Sequence, residues 1–500
     1  MKILKKYEST ILFILGFGLF LFTRMSKLVP TIPSSILIST VFILRFVRIK
    51  KAATGILLTL LGFIISINIG LWGLFDMGSG ISSLLFNLIR STVLALLYFF
   101  PYLADRLIYP RYRKFGVLSS LTFPVISTAL FFFLTIEGPF EGSYQMGKFL
   151  FGPAILKQFI SIFGLPGMVF ISNWFASIIN YCWENNFGWK KTGRLITTYS
   201  IMILAILVYG TVKIHSNPVN ETVKTASIVL IPEDGKAVEL PPIVENKITH
   251  DYRKRLGIFR KKVETAASNG AKIAMSHELA ILINEDDRED LINECRSIAK
   301  DNNMYIAMNY GYYANKGKGE NTMLFIDNTG RVLIRDYAKK YLIGIGNIAE
   351  TAVFKKGPEI LQYADTPYGK VSFAICREVD MAKYMIQAGR NNVDIMISPA
   401  YEWPQNLTIN CGYMRGIEFG FSLVRASYNG ITFASDYNGK ILATMPFEKD
   451  STGIMYAELP VKGVKTLYSK IGDVFAWICV LIFLGLILYP AISKIWKKMV

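Results

Sequence analysis

Eight stretches of this 500-residue chain are apolar and nearly free of charge: 9–22, 28–47, 54–75, 81–103, 117–136, 160–181, 195–214 and 474–492. Most approach the roughly 20 residues needed to cross the hydrocarbon core of a bilayer. Hydrophobic residues make up 52% of the chain and its mean hydropathy is +0.35, high for a protein without membrane spans. The first stretch follows Lys2, Lys5 and Lys6, as a signal peptide would. No small-residue cleavage site comes after it, and Arg24 and Lys27 follow, so it reads as a span or signal anchor.

Loop charges orient the spans. Lys2, Lys5 and Lys6 precede the first; Arg45, Arg48, Lys50 and Lys51 separate the second and third; Arg106, Arg111, Arg113 and Lys114 separate the fourth and fifth. Lys190, Lys191 and Arg194 lie between the sixth and seventh, and Lys494, Lys497 and Lys498 close the chain. These groups fall on one side, while the fifth-to-sixth loop carries Glu137 and Glu141. Base-rich loops face the cytoplasm. Both termini are therefore expected inside, and the long segment between spans seven and eight outside. Arg90, within the fourth stretch, is expected to snorkel or to pair with Asp76 or Asp105.

Four regions follow: a seven-span domain over 1–215, an extracytoplasmic domain over 223–464, an eighth span over 474–492 and a tail over 493–500. The outer domain reads as alternating strands and helices in layered α/β packing. Strands are predicted at 226–231, 272–275, 304–308, 322–326, 332–337, 371–375, 393–398, 423–426, 431–435, 440–445 and 453–459. Helices are predicted at 250–268, 288–301, 382–388 and 412–420. Asp327–Gly330 reads as a hairpin turn. The net charge of +18 fits cytoplasmic loops and anionic headgroups, and no basic stretch with interleaved aromatics marks a nucleic-acid partner. Basic residues over 253–262 read as a solvated face or as contacts to phosphates. The five cysteines, Cys182, Cys295, Cys376, Cys411 and Cys479, contain no C-x-x-C pair, and the three histidines have no ligand spacing, so no metal site is expected. A Cys295–Cys411 disulfide is open outside the cytoplasm.

The chemistry gathers at strand ends. Val371–Ile375 reads as a buried strand that stops at Cys376, with Glu378 two residues on. A thiol there is well placed for reaction, though a lone cysteine is more often a packed small hydrophobe. Glu278 and Lys339 (or Lys340) also follow strands. An ammonium lowers a thiol pKa and steadies an oxyanion, and a carboxylate accepts the thiol proton. Glu, Lys and Cys therefore suffice for acyl transfer through a thioester.

Glu…Lys…Cys in this order resembles the nitrilase, or carbon–nitrogen hydrolase, superfamily. Seven spans, an outer domain and a closing eighth span resemble its apolipoprotein N-acyltransferase branch. Tyr-Ala-Lys-Lys-Tyr-Leu-Ile (337–343), Ile-Cys-Arg-Glu (375–378), the block over 414–432 and Thr466–Asp473 carry that resemblance. It implies a nitrilase-like αββα sandwich beside the polytopic helical domain. It implies Glu278 as general base, Lys339 as oxyanion-stabilising lysine, Cys376 as nucleophile and Glu378 as supporting carboxylate. The sequence departs from the family pattern at His277, Tyr341, Asn347 and Pro399, and Glu350 is expected to stand in for the carboxylate absent at Asn347. Leu342, Ile343 and Trp403 are candidate contacts to an acyl chain, with core packing equally open for Leu342 and Ile343. The resemblance further implies a phospholipid acyl donor, a diacylated lipoprotein acceptor, no cofactor, and residence in a bacterial inner or plasma membrane. Transfer to a different amine, a membrane-tethered amidase and an inactive lipoprotein-binding protein are the alternatives.

Overall fold

The computed structural model describes residues 2–23, 28–32, 35–72, 81–136, 153–230, 252–344, 350–402, 412–447 and 453–499. Asp76, Asn347, Trp403 and Cys411, and the sequence readings resting on them, lie outside the described residues. The chain divides into two compact units: Met1–Ser216 with Ile471–Val500, and Asn217–Lys470.

The first unit is helical. Its helices are α1 (Lys2–Phe20), α2 (Ser35–Ile49), α3 (Ala52–Leu71), α4 (Ile81–Tyr112), α5 (Thr122–Thr135), α6 (Ala154–Lys157), α7 (Ile160–Glu184) and α8 (Trp189–Ser216), closed by the C-terminal helix Val474–Met499. Each apolar stretch of the sequence overlaps a helix among the described residues. Among the described residues, four stretches are long and apolar enough to cross a membrane: Ala52–Leu71, Leu84–Thr135, Ile160–Glu184 and Trp189–Ser216. The helix predicted from residue 28 begins only at Ser35, after Pro30 and Pro33, because proline disfavours a helical residue before it. With 15 and 14 residues, α2 and α5 are about 20 Å long at 1.5 Å per residue.

Basic residues of alternate connections meet at one end of this unit. The side chain of Arg48 is covered and donates from Nε (2.8 Å) and Nη2 (2.9 Å) to the carboxylate of Asp105. Arg106 donates to the carbonyls of Arg48 and Lys50, both at 2.8 Å. Arg113 and Arg45 lie 3.2 and 3.9 Å from Glu184. Asp105, a carboxylate considered for Arg90, is thus held by Arg48.

The second unit is built on two sheets. Its strands are β1 (Thr222–Ile228), β2 (Ile273–Ser276), β3 (Ile281–Asn284), β4 (Tyr305–Tyr313), β5 (Glu320–Ile326), β6 (Val332–Ala338), β7 (Tyr363–Thr366), β8 (Gly369–Phe373), β9 (Ile395–Tyr401), β10 (Ser422–Tyr428), β11 (Ile431–Ser435), β12 (Ile441–Pro446) and β13 (Ile454–Pro460). Its helices are α9 (Tyr252–Ser268), α10 (Arg288–Asp301), α11 (Glu350–Val353), α12 (Ala382–Arg390), α13 (Tyr413–Phe419) and α14 (Leu467–Ile471); the C-terminal helix is then α15.

The first sheet runs β13-β1-β2-β4-β5-β6, with β3 also on β4; the second runs β12-β11-β10-β9-β8-β7. The neighbours β1–β2, β2–β4, β8–β9 and β9–β10 are parallel. Parallel strands require covered faces, and each sheet has two. β1 meets β10 and β2 meets β9 between the sheets. Across that interface Phe325 and Phe373 pack edge to face, 5.3 Å between ring centroids. On the outer faces, α9 and α10 cover the first sheet, while α12 packs on α13 and α13 on β10. The layers are therefore α-β-β-α. All nine residues of β4 are buried, as a central strand between two layers must be. The basic face of α9 is held by α10: Arg260 reaches Glu294 (2.9 Å) and Asp301 (3.2 Å), and Arg253 reaches Asp290 (3.5 Å). Cys295 is a free thiol buried in the core between α10 and the first sheet, and burial pushes its pKa up to about 12.

A buried Glu-Lys-Glu array beside a cysteine turn

Strand geometry delivers the site. β2 ends at Ser276, two residues before Glu278; β6 ends at Ala338, one before Lys339; β8 ends at Phe373, three before Cys376. Tyr337 and Lys339 fall on one face because side chains alternate along an extended chain. The Lys339 ammonium is buried. It lies 2.6 Å from Glu278 Oε1 and 2.9 and 2.8 Å from the two oxygens of Glu350. Lys340 turns away: its ammonium pairs with Glu359 at the surface. Asn321, buried on β5, donates from Nδ2 to Glu278 Oε1 (2.8 Å) and Glu350 Oε1 (3.0 Å). The Ile343 N–H reaches Glu350 Oε2 at 2.8 Å.

Cys376 opens a short turn, Cys376–Asp380, with φ at +54°. That left-handed conformation is uncommon for a residue with a Cβ. Its thiol faces the main-chain carbonyl of Tyr401 at 3.7 Å. The Tyr401 N–H donates to Glu278 Oε2 at 2.8 Å. The end of β9 thus links the thiol to the carboxylate array.

Burial opposes the Lys339 charge, but Glu278, Glu350 and the Cys376 sulfur outweigh it and hold the ammonium well above the usual lysine range. Burial and the Glu278 charge push the Cys376 thiol up, against the pull of Lys339. The resting cysteine is therefore a thiol that needs a base, rather than a preformed thiolate. His277, buried with its ring nitrogens 2.8 Å from the Glu278 carbonyl and 3.2 Å from the Leu230 carbonyl, is lowered to about 3 by burial and by Arg255. It is neutral at pH 7.

Glu378 sits behind this array. Its Oε1 accepts the Lys340 N–H at 2.5 Å; its Oε2 accepts the Ile375 N–H at 2.7 Å and the Tyr337 hydroxyl at 2.9 Å. One carboxyl thus ties the residue after Lys339 to the residue before Cys376. Burial raises its pKa to about 7, against its hydrogen bonds. A carboxyl raised on folding stabilises the folded state below its unfolded pKa and loses that contribution as pH rises through the folded value. Glu378→Gln presents an NH2 group to one of these donors and is expected to cost about 1–3 kcal/mol. In denaturant unfolding, the deficit relative to wild type should narrow between about pH 5 and pH 8, as wild type ionises its buried carboxyl.

Of the remaining sequence candidates, Leu342 is half-buried against Leu279, Tyr313, Val353 and Phe354, the packing alternative. Ile343 is half-buried too. Residues without a sequence signature complete the site. Asn309 on β4 accepts the Leu279 N–H at 2.5 Å and donates to Asn321 Oδ1 at 3.1 Å. Asn309 interrupts a largely apolar strand, where a polar residue is the available flag; Asn321 lies at the polar start of β5, between Glu320 and Thr322, and carries no such flag. Asn321→Ala removes the amide shared by two buried carboxylates and is expected to cost about 1.5–3 kcal/mol, read as a lower denaturant midpoint at unchanged slope.

A carbon-nitrogen hydrolase family profile matches residues 239–468. The chain carries a carbon-nitrogen hydrolase domain. Curated relatives named apolipoprotein N-acyltransferase match it as well. One from Shewanella oneidensis is 34% identical over 113 residues, 21% of this chain and 21% of the relative. One from Rickettsia bellii is 22% identical over 351 residues, 64% of this chain and 66% of the relative. The chain thus matches about a fifth of the first and just under two thirds of the second. Among solved structures, a Nesterenkonia AN1 amidase from the nitrilase superfamily is 15% identical, covering 49% of this chain and 92% of that one with a TM-score of 0.39.

Proposed function

We propose that this protein is a membrane-bound N-acyltransferase that moves a fatty acyl chain from a phospholipid, through a thioester on Cys376, to the N-terminal diacylglyceryl-cysteine of a lipoprotein. The observation that carries the reading is the main chain of Tyr401, whose N–H holds Glu278 and whose C=O faces the Cys376 thiol, beside a buried ammonium. Glu278 accepts the thiol proton as Sγ attacks the ester carbonyl, and the Lys339 ammonium receives the developing oxyanion. The tetrahedral adduct expels the lysophospholipid, protonated by Glu278, and leaves the thioester. The amine then attacks, Glu278 takes its proton, and the Cys376 sulfur departs and is reprotonated. Glu350 balances Lys339 while Glu278 carries a proton, and Glu378 supports the turn.

The names of the curated relatives support the acceptor, and the apolar helices support a lipid donor. Eight spans, cytoplasmic termini and an extracytoplasmic catalytic domain belong to the same proposal, in keeping with the clustering of basic connections at one end of the helical unit. The test is intact mass of the full-length protein and of a diacylated lipopeptide after incubation with phospholipid. The expected result is an acyl adduct on the protein and one acyl chain gained by the lipopeptide. An adduct without lipopeptide gain would move the acceptor to another amine or to water; no adduct across several phospholipids would overturn the reading.

A further inference from the structure

Arg425 is a large buried charge to which the acyl-transfer chemistry gives no role. Arg425, on β10, is 1% exposed and stands in register with Ser398 of β9. Its Nη1 donates to the carbonyl of Cys376 at 3.0 Å and to Ser398 Oγ at 2.8 Å. Its Nε and Nη2 reach Glu402 Oε1 at 3.0 and 2.5 Å. Burying a guanidinium carries a desolvation cost that only well-made hydrogen bonds offset, and an apolar side chain would fill the space without it.

The partners of this guanidinium, one main-chain carbonyl and the side chains of Ser398 and Glu402, belong to the two segments that form the site. The Cys376 carbonyl belongs to the residue held at φ +54°. Glu402 directly follows Tyr401, whose N–H and C=O face Glu278 and the Cys376 thiol. Glu402 is itself anchored, its N–H donating to the Tyr428 carbonyl at 2.9 Å. The planar fork of arginine can hold both pieces at fixed spacing, which a lysine ammonium cannot.

We propose that Arg425 is a positioning residue of the acyl-transfer site, clamping the Cys376 turn to the end of β9 with Glu402 as its counter-charge. The inference rests on the reading of Cys376 as nucleophile. Two charges of opposite sign also act on the thiol through this clamp: Arg425 favours the thiolate and Glu402 opposes it.

The experiment follows alkylation of Cys376 by iodoacetamide against pH, by peptide mapping of the full-length detergent-solubilised protein, together with acyl-adduct formation from phospholipid. Arg425→Gln should move the alkylation profile to higher pH and Glu402→Gln should move it to lower pH. Both should slow adduct formation by about 10- to 100-fold, the range for losing a charged hydrogen bond, at unchanged half-saturating donor concentration. Arg425→Lys keeps the charge, so its profile should stay near wild type while its adduct rate falls. A residue that only fills the core would lower stability without moving the two profiles in opposite directions. Superimposable profiles for folded Arg425→Gln and Glu402→Gln overturn the proposal. If Arg425→Gln does not fold, a wild-type profile in Glu402→Gln with a wild-type adduct rate in Arg425→Lys overturns it. Alkylation needs no lipid, so a wild-type protein that forms no acyl adduct would sink the proposed function and still leave the clamp tested.

Discussion

Cys376→Ala is expected to abolish acyl transfer, with the adduct rate falling on the order of 10⁴-fold or more, as when an enzyme loses its nucleophile. Sγ supplies the bond that carries the acyl group, and alanine has no nucleophilic atom to put in its place. The cost in stability should be small, about 1 kcal/mol, because alanine meets the same left-handed backbone as cysteine and the lost contact is a 3.7 Å S–H···O approach. The variant therefore separates chemistry from folding. An acyl adduct persisting on Cys376→Ala would place the nucleophile elsewhere.

Lys339→Met should damage both activity and fold. Two carboxylates, 2.6 and 2.8 Å from the ammonium, would be left buried without a counter-charge, and breaking a buried pair from one side costs about 3–5 kcal/mol. Loss of the oxyanion-stabilising cation should lower the adduct rate by about 10²- to 10³-fold. The pH dependence has a definite sign. The folded pKa of Lys339 lies above its ordinary value, so its contribution to stability is fully present below the ordinary lysine range and is lost only as pH rises through the folded value. In the variant the orphaned carboxylates are expected to bind protons more readily, so its deficit should shrink in acid. Unfolding midpoints at pH 5 and pH 8 test this; a constant deficit would mean that the carboxylates do not depend on Lys339.

Much of the α/β unit is legible from where apolar runs stop. The runs ending near Met275 and Ile375 meet polar residues abruptly, which marks strand ends and draws attention to Glu278 and Cys376, while Lys339 follows the mixed strand Val-Leu-Ile-Arg-Asp-Tyr-Ala. The Asp327–Gly330 turn is equally plain, since Asp327 Oδ1 accepts the N–H groups of Thr329 and Arg331 at 3.0 and 2.9 Å. Two strands escape notice. β3 is four residues long and starts three residues after Glu278, too short to show a period, and β7 is an edge strand of mixed polarity, Tyr-Ala-Asp-Thr. The environment of the site is hidden for a different reason. Asn309, Asn321 and Arg425 act through partners at least 12 residues away, and local pattern carries no record of which polar strand residue faces which. The Tyr401 contacts are invisible in principle, because they use main-chain atoms that every residue has. In the helical region composition finds every described helix except the four-residue α6, whereas length and boundaries depend on prolines and packing that hydropathy does not weigh.

The pairing of β1 with β13 reaches into biosynthesis. Thr222 stands opposite Pro460 and Ile228 opposite Ile454, so the opening strand of the α/β unit borders its closing one. A nascent chain lays down β1 early and can pair it with β2, but its other edge stays bare until some 226 residues later, when residue 454 has been made. An unpaired strand edge is a template for other chains, and contacts so distant in sequence form late. Translation that stops short of β13 would release a chain with that edge open, prone to associate with its neighbours even where the residues of the site are all present.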